Sequence, residues 1–154
     1  MSQSLSCLWV HIIFSTKNRR PFLKPIQIRN QLYQYMIGIS KALNTQVCRI
    51  NGTEDHVHLL VNLPKNLSVS DYIKKIKYSS SKWLKNLVSE DKELSNFYWQ
   101  SGYAAFSVSE SNIKVVKNYI KNQELHHKKF DYLAELKKTL TAHKIQYNEI
   151  YLKR

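Results

Sequence analysis

The stretch that most restricts how this chain can fold is Asn51-Gly52-Thr53-Glu54-Asp55-His56-Val57-His58-Leu59-Leu60-Val61-Asn62-Leu63-Pro64. A turn-forming Asn-Gly, an apolar run and a closing proline predict a strand entered from a tight connection. Side chains alternate along a strand, so His56 and His58 share one face while Val57, Leu59 and Val61 fill the other. Two imidazoles so placed can hold one divalent metal between them, and metal binding would offset the cost of removing them from water. The alternative makes both of them strand-end residues bonded to nearby backbone. The spacing alone does not choose.

The segments around this strand build a sheet for it. Leu5 to Ser15 is apolar on both faces, with Leu8, Val10 and Ile12 against Cys7, Trp9, His11 and Ile13, which predicts a central strand covered on both sides. Thr16 to Pro21 follows as a cationic loop, and Pro25 opens a helix through Ile28, Leu32, Tyr35, Met36, Ile39 and Leu43. Thr45 to Ile50 reads as a strand paired with the histidine strand. Ser68, with Asp71 three residues on, caps a helix that buries Tyr72, Ile73, Ile76, Trp83, Leu84 and Leu87 and carries Lys74, Lys75, Lys77, Lys82 and Lys85 outward. Ser89 to Asn96 reads as a charged loop, and Phe97 to Gln100 and Tyr103 to Val108 as two short strands joined around Ser101-Gly102. One helix is expected from near Glu110 to about Lys128 and a last one from Asp131 to Thr141. The order predicts an α+β fold, a ferredoxin-like antiparallel sheet with helices packed on one face, in a single domain over 1–154.

The charge balance narrows the partner. Lysine and arginine outnumber aspartate and glutamate 24 to 11, so the surface field attracts a polyanion, nucleic acid before membrane. The positive charge is spread over several segments and no apolar run approaches spanning length, which argues against a membrane partner. Cys7 and Cys48 form no Cys-x-x-Cys pair, and the basic cluster follows the N-terminal apolar run where a secretory signal needs it ahead. A cytoplasmic location is expected.

Tyr119 and Gln123 are four apart and therefore share a face of the expected late helix. Tyrosine becomes a competent nucleophile only toward a phosphate whose charge a metal has drained, and Gln123 could lend that metal an oxygen. Alternatively Tyr119 packs on the sheet with Ile113, Val116 and Ile120, and Gln123 is solvated.

Together, His56-Val57-His58 and the distant Tyr119-Ile120-Lys121-Asn122-Gln123 resemble the motifs of the single-tyrosine HUH (histidine-hydrophobe-histidine) transposases of small insertion sequences, the single-stranded DNA transposase family that includes relatives associated with repetitive palindromes. Trp99 to Ser109, His11 to Lys17 and Ser79 to Leu84 are also similar to segments of that family, and the resemblance runs from about Ser4 to Tyr151. It implies a metal-dependent endonuclease and strand transferase that cleaves single-stranded DNA at hairpin-bearing element ends through a 5′-phosphotyrosine. In that reading Tyr119 is the nucleophile and His56, His58 and Gln123 hold Mg²⁺ or Mn²⁺. No nucleotide cofactor is implied. A homodimer with sheets joined edge to edge is, and there Tyr119 completes either its own site or its partner's. The second function to weigh is a non-catalytic or domesticated single-stranded nucleic-acid-binding protein acting on palindromic repeats.

Several residues stand beside this core assignment. Asp55 orients a histidine or is a turn residue beside Gly52. His126 and His127 face the same centre or are solvated near a helix C-terminus. His11 is expected to pack in the core, and no carboxylate cluster is expected around the histidine pair. Lys17, Arg19, Arg20, Lys74, Lys77 and Lys82 are the candidate phosphate contacts, with Trp83, Trp99 and Tyr103 either stacking on unpaired bases or packed in the core.

Overall fold

In the computed structural model, which describes residues 2–87 and 92–152, four strands make one antiparallel sheet: β1 (Trp9–Ser15), β2 (Gln46–Gly52), β3 (His56–Asn62) and β4 (Ala104–Ser107). Their order is β2-β3-β1-β4, so the histidine strand and the N-terminal strand lie side by side at the centre. The register sets Ile13 opposite His58, Ser15 opposite His56 and His11 opposite Phe106. Residues opposite one another point to the same face, so this register alone collects His11, Ile13, His56, His58 and Phe106 on one side of the sheet.

The other side carries the larger core. Ile12, Phe14, Val57, Leu59 and Val61 meet α1 (Ile26–Ala42) and α2 (Val69–Asn86), which contribute Leu32, Met36, Ile73, Ile76 and Leu84, all of them buried. Ser68 caps α2 as expected, its hydroxyl accepting the Asp71 N–H at 3.1 Å. The two helices are tied together where Tyr35 stacks on Trp83 and where the Tyr72 hydroxyl donates to Ser40 Oγ at 2.7 Å. This is the expected ferredoxin-like sheet with its helix layer.

Over the histidine face lie α3 (Ile113–Lys121), α4 (Gln123–Lys129) and α5 (Tyr132–Ala142), with α6 (Glu149–Leu152) in the tail. Tyr132, Leu136 and Leu140 of α5 pack with Ile13 and Phe106 in a second, smaller cluster. Asp131 caps α5 by accepting the Ala134 N–H at 2.8 Å.

Three expectations are corrected. Asn51 and Gly52 end β2 instead of forming the turn, and Gly52 is needed for space, since a Cβ there would stand 2.2 Å from the His56 carbonyl oxygen. Phe97 to Gln100 is not a strand: the chain after β1 enters a 3₁₀ turn at Lys17–Arg19, leaving a single bridge between Thr16 and Trp99, and Phe97 and Trp99 are core residues whose rings meet edge to face. The late helix is broken at Asn122, whose φ of −98° and ψ of 24° depart from helical values between α3 and α4. Of the charged connection expected at Ser89 to Asn96, residues 89–91 lie outside the described residues, and the rest holds a turn with Leu94 buried. Among the described residues no helix is long and apolar enough to cross a membrane.

Candidate metal and tyrosine site

Both histidines of the pair are buried, His56 at 0% and His58 at 1% exposure, on the face that α3, α4 and α5 cover. His56 Nδ1 lies 2.7 Å from Asp55 Oδ1, which also accepts the Thr53 hydroxyl at 3.0 Å. A carboxylate can only accept, so His56 carries its proton on Nδ1 and turns an Nε2 lone pair inward. That nitrogen faces Gln123 Oε1 at 3.2 Å. The Gln123 amide is oriented by its NH₂, which donates to Glu135 Oε1 at 3.3 Å and to the Tyr119 carbonyl at 3.4 Å. Two lone pairs thus face one another, which a cation between them would satisfy.

Glu135 is the residue the sequence reasoning missed. It lies on the inner face of α5 between Tyr132 and Leu136, buried to 8% exposure, with its carboxylate 3.9 Å from His56 Nε2 and 3.7 Å from His58 Nε2. Its Oε1 also accepts the Tyr119 hydroxyl. No carboxylate cluster was expected around the histidine pair, and Glu135 adds a single acid to it: an acid on a helix need not face water when the helix closes over polar groups. An acidic residue within the apolar stripe of a short amphipathic helix was the available signal. His11 is buried as expected, and its Nε2 also lies 2.9 Å from His58 Nδ1.

The donor set fits a divalent cation. His56, His58 and Glu135 offer ligand atoms all within 4.8 Å of one another, and His58 Nε2 and Glu135 Oε2 are buried with no hydrogen-bond partner. Unpartnered polar atoms aimed at a common point in a buried site are costly unless something binds there. Burial holds His58 well below the usual histidine range, pushes His11 down to about 4 with help from His143, and raises Glu135 against the pull of His56. Neutral imidazoles are the ligating form.

Tyr119 reaches the same centre. Its ring stands edge-on to His58 at 5.8 Å and to His11 at 6.2 Å, with His126 packed on it at 4.7 Å. Tyr119 and Gln123 therefore converge although they ride on different helices. The end of α3 is fastened to its own chain, because Asn51 Nδ2 donates to the carbonyls of Ile120 and Lys121 at 3.0 and 3.1 Å, groups a helix end would otherwise leave unpaired. His127 is turned to the outer side of His56, 3.9 Å from Glu54.

The cationic candidates divide. Lys17, Arg20, Lys74 and Lys82 are exposed and Arg19 is half-buried, whereas Lys77 spends its ammonium on the carbonyls of Gln100 and Gly102. Trp83 and Trp99 belong to the core, Trp99 donating to Ser80 Oγ at 3.0 Å, and Tyr103 is exposed.

An antiparallel sheet whose central strand bears a histidine-hydrophobe-histidine pair, faced by a tyrosine on a covering helix, defines the HUH transposase fold. Residues 4–123 match the family described as Transposase IS200 like, and the chain belongs to that family. Among curated proteins, the transposase for insertion sequence element IS200 of Salmonella typhimurium is 26% identical over 115 residues, 73% of this chain and 74% of its own length, and that of Salmonella typhi matches equally. Among solved structures, a candidate transposase of Deinococcus radiodurans R1 superposes with a TM-score of 0.62 at 22% identity, over 80% of this chain and 98% of its own. A REP-associated tyrosine transposase bound to a REP hairpin superposes with a TM-score of 0.59 at 16% identity, over 82% of this chain and 74% of its own. These two likenesses concern the fold.

Proposed function

We propose that the protein is a metal-dependent single-stranded DNA endonuclease and strand transferase that cuts at hairpin-bearing ends through a 5′-phosphotyrosine on Tyr119. The observation that carries this reading is the convergence of Tyr119, Gln123, Glu135, His56 and His58 on one buried point. Tyr119 Oη attacks the phosphorus, the P–O3′ bond breaks, and the proton that tyrosine gives up is matched by the one the departing 3′-hydroxyl gains. The phosphodiester energy is kept in the phosphotyrosine, so a second 3′-hydroxyl can reverse the step without a nucleotide cofactor.

His56, His58 and Gln123, joined by Glu135, would hold the metal, and Mg²⁺ or Mn²⁺ suits two imidazoles with two oxygen donors. Such an ion would polarise a non-bridging oxygen of the phosphate whose phosphorus Tyr119 attacks. Asp55 fixes the His56 ring, and Glu135 holds the tyrosine hydroxyl on the side of the ligands. The substrate is single-stranded DNA that folds into hairpins, supported by the net charge of +13 and by the hairpin held by the REP-associated structural neighbour. Lys17, Arg19, Arg20, Lys74 and Lys82 are the proposed phosphate contacts, acting in the cytoplasm where chromosomal DNA is found. A homodimer is part of the proposal, each copy using its own tyrosine because Asn51 ties α3 to the strand beside it.

Incubation of labelled hairpin-bearing single-stranded DNA from the gene's own flanks, with and without Mn²⁺, tests this on a denaturing gel. Metal-dependent cleavage and a covalent protein–DNA band, both lost in Tyr119→Phe, are expected. Tight binding with no cleavage by the wild type would instead make this a non-catalytic binding protein.

A further inference from the structure

We infer that His11 is a positioning residue that fixes the ring tautomer of His58 and so keeps its Nε2 lone pair aimed into the site. The inference rests on the reading that the histidine pair holds a metal. A histidine that ligates through Nε2 must carry its hydrogen on Nδ1, and that hydrogen needs an acceptor. For His56 the acceptor is the Asp55 carboxylate at 2.7 Å. His58 has no carboxylate there; its Nδ1 is buried against His11 Nε2 at 2.9 Å.

One hydrogen lies between two neutral rings that meet nitrogen to nitrogen. If His58 supplies it, His11 accepts through Nε2, and His58 Nε2 is left with a lone pair among Gln123, Glu135 and Tyr119. If His11 supplies it, His58 Nε2 bears a hydrogen whose nearest carboxylate oxygen, on Glu135, is 3.7 Å away, too far for a hydrogen bond. The first arrangement leaves a lone pair for a cation to use. The second buries a donor with no acceptor in reach, which no cation can relieve.

His11 is built for this task more than for filling space. It lies on β1, diagonal to His58 across the strand pair, and its ring is held against the His58 ring at 5.1 Å and beside Phe106 at 6.3 Å. Its Nε2 is engaged by His58 Nδ1, so it supports the site through that ring without joining it.

Two variants separate this role from packing. His11→Phe keeps a ring and removes the acceptor; His11→Gln keeps an acceptor on a flexible stem. ¹⁵N NMR of the metal-free proteins should show His58 protonated on Nδ1 in the wild type and His11→Gln, and on Nε2 in His11→Phe. Mn²⁺ affinity by calorimetry should fall about 10- to 100-fold in His11→Phe and be largely restored in His11→Gln. The inference is overturned if His58 keeps its Nδ1 proton in His11→Phe, or if both variants lose the same affinity. If the wild type binds no Mn²⁺, the metal reading fails, while the NMR comparison still decides whether His11 sets the tautomer.

Discussion

Glu135 Oε1 lies 3.7 Å from His58 Nε2, a helix carboxylate and a strand imidazole from distant parts of the chain that meet out of water. No hydrogen bond joins them at that separation, and a divalent ion would satisfy His58 Nε2 together with the unpartnered Oε2 of the same carboxylate. Glu135→Gln preserves shape and removes the negative charge. Its Mn²⁺ affinity, measured by titration calorimetry, should drop by about tenfold or more, roughly 1.4 kcal/mol per decade. An unchanged affinity would put this carboxylate outside the metal's ligands.

Metal should also stabilise the fold, since the proposed ligands come from β3, α4 and α5 and are assembled only in the native state. At a free Mn²⁺ concentration of about 100 Kd the gain is about 2.7 kcal/mol. A melting temperature raised by roughly 5–10 °C, and returned to its starting value by a chelator, is the expected result. With two nitrogen donors in the set, Mn²⁺ should act at lower concentration than Mg²⁺.

Gly52→Ala places a methyl 2.2 Å from the His56 carbonyl oxygen, where the two strands of the hairpin approach and neither backbone can move aside alone. A loss of about 2–4 kcal/mol is expected from urea unfolding. Because the displaced residue is the proposed metal ligand His56, Mn²⁺ binding by the folded fraction should weaken as well.

Lys74→Ala and Lys82→Ala remove exposed charges from α2 without touching the core. Each should weaken binding to all hairpins alike and lower the slope of log affinity against log salt by roughly 0.7–0.9. Lys77→Ala differs, because its ammonium holds the Gln100–Gly102 loop in place; it should lower stability more than salt dependence.

Burial pushes the Tyr72 hydroxyl up to about 12, with the hydrogen bond to Ser40 pulling the other way. The unfolded chain gives up this proton near pH 10 and the native state only near 12, so the contribution is intact below pH 10 and is lost as pH rises to about 12. The shift corresponds to about 3 kcal/mol. Urea midpoints at pH 9 and pH 11 should show a smaller alkaline loss for Tyr72→Phe than for the wild type.

The sequence was most informative where one period or one cap decided the outcome. Alternation around His56 and His58 predicted the buried face Val57, Leu59 and Val61, and Ser68 with Asp71 announced the start of α2. It was least informative where a contact joins distant segments. Glu135 and His11 take their roles from a helix and a strand brought to the pair by the fold, and no local pattern pairs residue 135 with residue 58. The break at Asn122 was hidden because the apolar spacing runs through it, and Tyr119 and Gln123 converge in spite of it.

On the proposed reading that each copy uses its own tyrosine, the two hydrogen bonds from Asn51 to the end of α3 carry an expectation about the reaction order of the first cut. With Tyr119 tethered to the strand next to the proposed ligands of its own chain, single-turnover cleavage of saturating DNA should be first order, with a rate constant that does not change as the protein is diluted. A tyrosine lent by a second copy would show a rate that falls on dilution below the dissociation constant of the pair. Asn51→Ala, by loosening the tether, converts the first behaviour toward the second without altering the chemistry of the bond being broken.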